Sequence, residues 1–176
     1  MLLSIIIGLV SWALIGKQSL NKFRTSPNIP KTNSEALSEK MYSLLTLASM
    51  IYCIFLPLKL GTIWFHVGLS IWILSEATSL ISFYSFGSTP LDELVTSGAY
   101  RFSRNPVCLA GFLLDVSIGV ACASWIYLLY AVVSLLLMHI SIGVEERFLL
   151  DKYGNSYQEY MRDTPRWIGI PRSKKK

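Results

Sequence analysis

Charge is what this sequence has least of. Only 15% of its 176 residues are charged and 52% are hydrophobic, whereas soluble domains carry roughly 25% charged residues. That deficit predicts a membrane protein with no room for a separate soluble domain of ordinary size. Histidines number two and cysteines three. Cys53, Cys108 and Cys122 have neither zinc-ligand nor disulfide-framework spacing, so they are expected to be small buried hydrophobes, and no metal is expected. Also missing are a GxGxxG after a strand, a Walker loop, HExxH and GxSxG. A nucleotide-type cofactor would therefore bind without a Rossmann domain. The net charge of +5 does not point to nucleic acid. The basic residues cluster in 17–40, 101–104 and 162–176, as the Lys/Arg excess of cytoplasmic membrane-protein loops does.

What the sequence has instead is long apolar runs. Met1 to Gly16 has no basic residue before it and no small-residue cleavage site, so it reads as a retained first span rather than a cleaved signal. The basic loop after it contains Pro27 and Pro30, which forbid a continuous helix. Tyr42 to Leu60 and Thr62 to Phe83 read as a second and third span joined in a helical hairpin, since crossing about 30 Å of hydrocarbon takes roughly 20 residues. Val107 to Val144 is too long for one crossing, and its length splits it near Ala123-Ser124 into a fourth and fifth span. The fifth is expected to run on through Glu145, Glu146 and Leu150 and to stop at Gly154, a good C-terminal cap.

The expected fold is all-α: an integral membrane helical bundle of about five transmembrane helices with a cytoplasmic C-terminal tail. Residues 1–93 form an anchor and 94–176 a second unit. With the 17–40 loop in the cytoplasm, five spans place all three basic clusters on that side and leave only Lys59 outside.

Four ionisable residues interrupt the apolar runs: His66, Glu76, Asp115 and His139. Such residues are costly in hydrocarbon and usually face the bundle interior. Gly111, Asp115 and Gly119 fall at i, i+4 and i+8. This stripe reads either as a close helix contact with Asp115 paired across it or as the border of a ligand cavity. Glu76 lies close to a span end. The two histidines read as hydrogen-bonded packing residues, because neither has a second ligand at i+3 or i+4.

The polar stretch Leu94 to Gly111 links these units. Ser97-Gly98-Ala99 is a turn, Arg101 and Arg104 are permanent cations, and Asn105-Pro106 starts a helix, with Asn at the N-cap and Pro at the first helical position. A helix start flanked by arginines attracts a carboxylate or phosphate. It also serves as a juxtamembrane anchor, and sequence physics leaves both readings open. Downstream, Glu145 and Glu146 stand where the last span leaves the membrane. Tyr153, Tyr157 and Tyr160 share a helical face, suited to the membrane interface.

SGAYRFSRNPVCLAG followed by EERFLLDKYGNSYQEYMRDTPRWIGIP resembles the isoprenylcysteine carboxyl methyltransferase family and the related phospholipid methyltransferases. The shared pattern is an arginine-rich G-x-Y-R-x-x-R-[HN]-P loop, a glutamate pair, a G-x-x-Y-x-x-Y segment and a closing Pro-Arg motif. It covers residues 94–171, which would make 94–176 a methyltransferase-like core. The resemblance implies that S-adenosylmethionine is held on the cytoplasmic side by Leu94, Val95, Tyr100, Asn105, Pro106 and Cys108, with Glu145 on its cationic side. Arg104 and Glu146 are the expected catalytic residues. Asn105 stands where the carboxyl methyltransferases have His, Cys108 where Tyr is usual, and Ser141 where they carry a substrate-associated arginine.

A carboxylate acceptor is already ionised at neutral pH, whereas an amine acceptor needs a base, a role open to Glu146, Asp115 or His139. The expected activity is methyl transfer to a lipid or prenylated substrate drawn from the bilayer. The expected location is the endoplasmic reticulum of a eukaryote or the cell membrane of a prokaryote. The alternatives are an NADPH-dependent sterol or enone reductase and an inactive membrane scaffold.

Overall fold

The computed structural model describes residues 30–90 and 92–170. These form five α-helices and one 3-10 turn, and the described residues contain no strand. The helices are α1 (Asn33–Ile54), α2 (Ile63–Ser88), α3 (Pro106–Ala121), α4 (Trp125–Tyr153) and α5 (Asn155–Asp163), with the 3-10 turn at Gly98–Arg101. The expected first span lies outside the described residues.

The second expected span needs correction at both ends. α1 begins nine residues before Tyr42 because Thr32 and Glu35 form a capping box. The Glu35 N–H donates to Thr32 Oγ1 at 3.4 Å and the Thr32 N–H to Glu35 Oε2 at 2.9 Å, satisfying two orphan donors of the first turn. The helix stops at Ile54, ahead of Pro57, whose ring disfavours helix in the residues before it. Among the described residues, α2 and α4 alone are long and apolar enough to cross a membrane; α3 is apolar but shorter. Of the described helices, then, two meet the criterion for a crossing.

α2 starts as expected but runs five residues past the expected end at Phe83, to Ser88; the boundaries of α3 and α4 agree with expectation. α3 and α4 part at Ala123-Ser124, where Ala123 adopts φ +51°. The Ser124 N–H bonds Gly119 O at 2.8 Å and the Ala123 N–H bonds Val120 O at 2.9 Å, the paired bonds of a Schellman ending. α4 runs through the glutamate pair and ends at Gly154, φ +52°.

Large apolar side chains remain exposed along three helices: Leu44 and Leu47 on α1, Ile63 and Leu74 on α2, Leu129 and Leu136 on α4. So much exposed apolar surface is incompatible with water and suits hydrocarbon. Trp125, at the start of α4, is 82% exposed, as an aromatic at a membrane interface would be.

The chain divides into two compact units. One unit comprises residues 30–75 and 110–147 of those described. Its helices meet through small residues, as helices do in lipid. A Cβ added at Gly68 would lie 2.7 Å from Ala121 backbone, and one at Gly119 would lie 2.7 Å from the Leu128 side chain. Buried Ser75 donates to Ala110 O at 2.8 Å. Asp115 is paired across the helices, accepting from Ser134 Oγ at 3.3 Å. Gly111, by contrast, faces open space, so the small-residue stripe makes its close contact only at Gly119. His66 Nδ1 lies 2.8 Å from Thr62 O, a local packing bond. At the polar end, Arg147 grips Glu35 through two bonds of 2.8 and 2.9 Å. The Arg147 guanidinium, followed by the Thr32 backbone N–H, holds the Glu35 carboxyl down at about 2.

Candidate functional site

The other unit contains the linking loop and the tail, residues 76–109 and 148–170 of those described. Its turn is fixed at Gly98, φ +59°. A Cβ there would sit 2.0 Å from Ser85 Oγ, so glycine is demanded both by conformation and by the approach of α2. The Tyr100 N–H bonds Ser97 O at 3.1 Å, closing the expected turn.

The tail folds back on this loop and is stitched to it by backbone groups. The Arg104 N–H donates to Pro165 O at 3.0 Å and the Gly169 N–H to Phe102 O at 3.0 Å. Arg166 O accepts from Ser103 Oγ at 3.3 Å and from the Asn105 side-chain amide at 3.4 Å. Tyr160 donates its phenolic hydrogen to Tyr100 O at 2.6 Å. Burial, then the neighbouring Tyr100 and Tyr157, raise the Tyr160 phenol above its ordinary value, while Arg104 pulls the other way.

Pro106 occupies the first position of α3 and is fully buried, as expected. Asn105 carries the N-cap role through its carbonyl, which accepts from the Leu109 N–H at 3.0 Å. Its side-chain amide reaches the tail instead. The adjoining turn is closed by Ser103, whose Oγ accepts from the Asn105 N–H at 3.1 Å. Ser103 is 1% exposed, and its position between Phe102 and Arg104 gave no sign of this pivotal place.

The tyrosines also require correction. Gly154 separates Tyr153 on α4 from Tyr157 and Tyr160 on α5. The last two are 2% and 9% exposed, with ring centroids 6.0 Å apart. They form the interior of this unit rather than an interfacial belt. Tyr153 is half-buried and donates to Glu93 O at 3.4 Å.

Six expected cofactor residues, Leu94, Val95, Tyr100, Asn105, Pro106 and Cys108, fall in this unit together with Arg104. All but Pro106 are half-buried, and the Arg104 guanidinium has its Nε and Nη1 atoms buried. Glu145 and Glu146 belong to the unit of residues 30–75 and 110–147, on α4; there Glu145 is exposed and Glu146 buried. The described residues hold no cluster of His, Cys, Asp and Glu that could bind a metal ion.

The loop unit also contains a cavity of about 460 Å³, walled by Ile81, Phe102, Leu109 and Ile168, with Thr78 and Arg101 among its polar lining. Of the expected cofactor residues only Pro106 lines it.

Residues 41–156 match the phospholipid methyltransferase family, well over half of the chain, and the protein belongs to that family. No curated protein matches it. The family and the apolar helices together make it a membrane protein and a methyltransferase. The match ends at Ser156, ahead of Tyr160, whose hydroxyl bonds the loop.

Proposed function

We propose that the protein transfers a methyl group from S-adenosylmethionine to the amine headgroup of a membrane phospholipid. Membership of the phospholipid methyltransferase family carries the reading. The donor chemistry of the loop unit fits the methyl donor: a guanidinium at Arg104 for a carboxylate, the Tyr100 ring for a cation, and apolar Leu94 and Val95 for a flat ring. When bound, S-adenosylmethionine would supply a sulfonium-activated methyl group, whose carbon is open to attack by an amine lone pair and whose carbon–sulfur bonding electrons would leave with the neutral thioether.

The protein's own residues then have three tasks. Loop and tail hold Tyr100, Arg104 and Asn105 in one geometry, which counts because displacement depends on alignment. The apolar helices exclude water. Glu146 is the expected base for an ammonium headgroup, which cannot attack until it loses a proton; Glu145 enters through the family resemblance alone. The full proposal is a multi-pass bundle with its reactive face in the cytoplasm, consistent with the distribution of Lys and Arg.

Calorimetry on purified protein tests the cofactor. Heat of binding is expected with S-adenosylmethionine, reduced in Arg104→Gln and Glu145→Gln and absent with NADPH. Binding of NADPH alone would favour a reductase, and binding of neither an inactive scaffold.

A further inference from the structure

The 460 Å³ cavity of the loop unit is not explained by the methyl donor, because its lining omits Leu94, Val95, Tyr100, Asn105 and Cys108. Its size falls within the roughly 300–1,000 Å³ of ligand pockets. The walls are predominantly apolar, from Ile81 on α2, Leu109 on α3, Phe102 in the loop and Ile168 in the tail. Phe102 and Ile168 are 54% and 73% exposed, although both belong to connecting segments rather than to apolar helices. Large apolar side chains held out from a polar loop mark an interaction surface. Arg101 is exposed and lines the same cavity, and no acidic residue is among its described lining. Its charge therefore calls for an anion placed beside a hydrocarbon chain.

We infer that this groove binds one phospholipid molecule, with an acyl chain along Ile81, Phe102, Leu109 and Ile168 and the phosphodiester on Arg101. A guanidinium pairs with phosphate through charge-assisted, two-pronged bonds, and an apolar trough beside it selects a phosphate that carries a chain. Arg101 and Arg104 thereby divide their work: Arg104 has guanidinium atoms buried in the loop unit, and Arg101 is turned out to the lipid. Arg101 becomes the residue that distinguishes a phospholipid from a neutral lipid. The inference rests on the proposed methyl transfer only in making this lipid the acceptor; binding is measured independently.

The probes are dihexanoylphosphatidylethanolamine, dihexanoylglycerol (the same chains without phosphate) and glycerophosphoethanolamine (the headgroup without chains), titrated into the full chain in neutral detergent. The phospholipid is expected to bind most tightly. Arg101→Gln is expected to weaken its binding about tenfold or more, the usual loss for a charge-assisted bond, and to leave dihexanoylglycerol unchanged. Ile168→Glu, at an exposed position that tolerates the change, is expected to weaken both. S-adenosylmethionine affinity should hold in both variants, confirming that they are folded. Wild-type phospholipid affinity in Arg101→Gln, or unchanged lipid binding in Ile168→Glu, overturns the assignment. Methyl transfer by Arg101→Gln with an unchanged KM for phospholipid would remove the groove while leaving the proposed function intact. The expected lipid binding without any methyl transfer would do the reverse.

Discussion

Replacing Tyr160 by Phe removes one oxygen from the lock between loop and tail. That oxygen donates to Tyr100 O at 2.6 Å from a residue only 9% exposed. An ordinary hydrogen bond contributes about 0.5–1.5 kcal/mol net, but stranding a buried acceptor costs about 1–3 kcal/mol. The Tyr100 carbonyl belongs to half-buried backbone, so a loss of about 2 kcal/mol is expected, confined to local opening rather than global unfolding. At 1.4 kcal/mol per factor of ten, that makes opening about 30-fold more frequent. Hydrogen exchange reads it at two amides the lock protects, Arg104 bonded to Pro165 O and Gly169 bonded to Phe102 O. Both should exchange about 30-fold faster in the variant, with amides in the middle of α2 unchanged. The pH dependence follows from the raised Tyr160 value. The phenol's contribution is complete below about pH 10, the ordinary tyrosine value, and is lost as pH rises beyond it; Tyr160→Phe should abolish that alkaline loosening. Unchanged exchange at Arg104 and Gly169 would refute the idea that Tyr160 holds the tail in place.

Gly98→Ala should destabilise the loop, since a left-handed alanine costs about 1–2 kcal/mol and its Cβ meets Ser85 Oγ. Adding Ser85→Ala should recover only the steric part, and full recovery in thermal melts would dismiss backbone strain. Gly68→Ala places a methyl against Ala121 backbone, which cannot rotate away, so a loss of about 1–3 kcal/mol is expected in detergent unfolding; wild-type stability would contradict so close an approach. Glu35, held at about 2 by Arg147, should lend stability that is complete above its ordinary carboxylate value and disappears as pH falls towards about 2. A carboxyl carbon titration by NMR checks this, and titration of Glu35 at the ordinary value, or no change in it with Arg147→Gln, would contradict the pairing.

Much of the frame was legible in the sequence because it is written in side-chain types. Gly154 ends α4, Pro106 starts α3, and sheer length parts α3 from α4 at Ala123-Ser124. Asp115, a lone acid in an apolar run, finds its partner in Ser134. The start of α1 was also present, as T-x-x-E at Thr32 to Glu35, but Ser38, Glu39 and Lys40 delay the continuous apolar run and hydropathy outweighed the cap. The lock between loop and tail was less accessible. Its acceptors are the carbonyls of Tyr100, Phe102, Pro165 and Arg166, and a backbone carbonyl has no letter of its own. Helical periodicity put three tyrosines on one face, yet a glycine with φ +52° breaks the period between the first and the other two. The matched motif around Arg104 and Asn105 marked the loop as chemical, but only the fold shows that Ser103 and Asn105 spend their side chains on holding the tail.

The most direct measurement is transfer of a labelled methyl group from S-adenosylmethionine by the purified protein in vesicles containing phosphatidylethanolamine, with a farnesylcysteine analogue as the competing acceptor. Label is expected on the phospholipid amine, falling about tenfold or more in Glu146→Gln if that carboxylate takes the ammonium proton. Label on the prenylcysteine carboxyl alone would contradict the phospholipid assignment, and label on neither acceptor would contradict the methyltransferase reading of this chain.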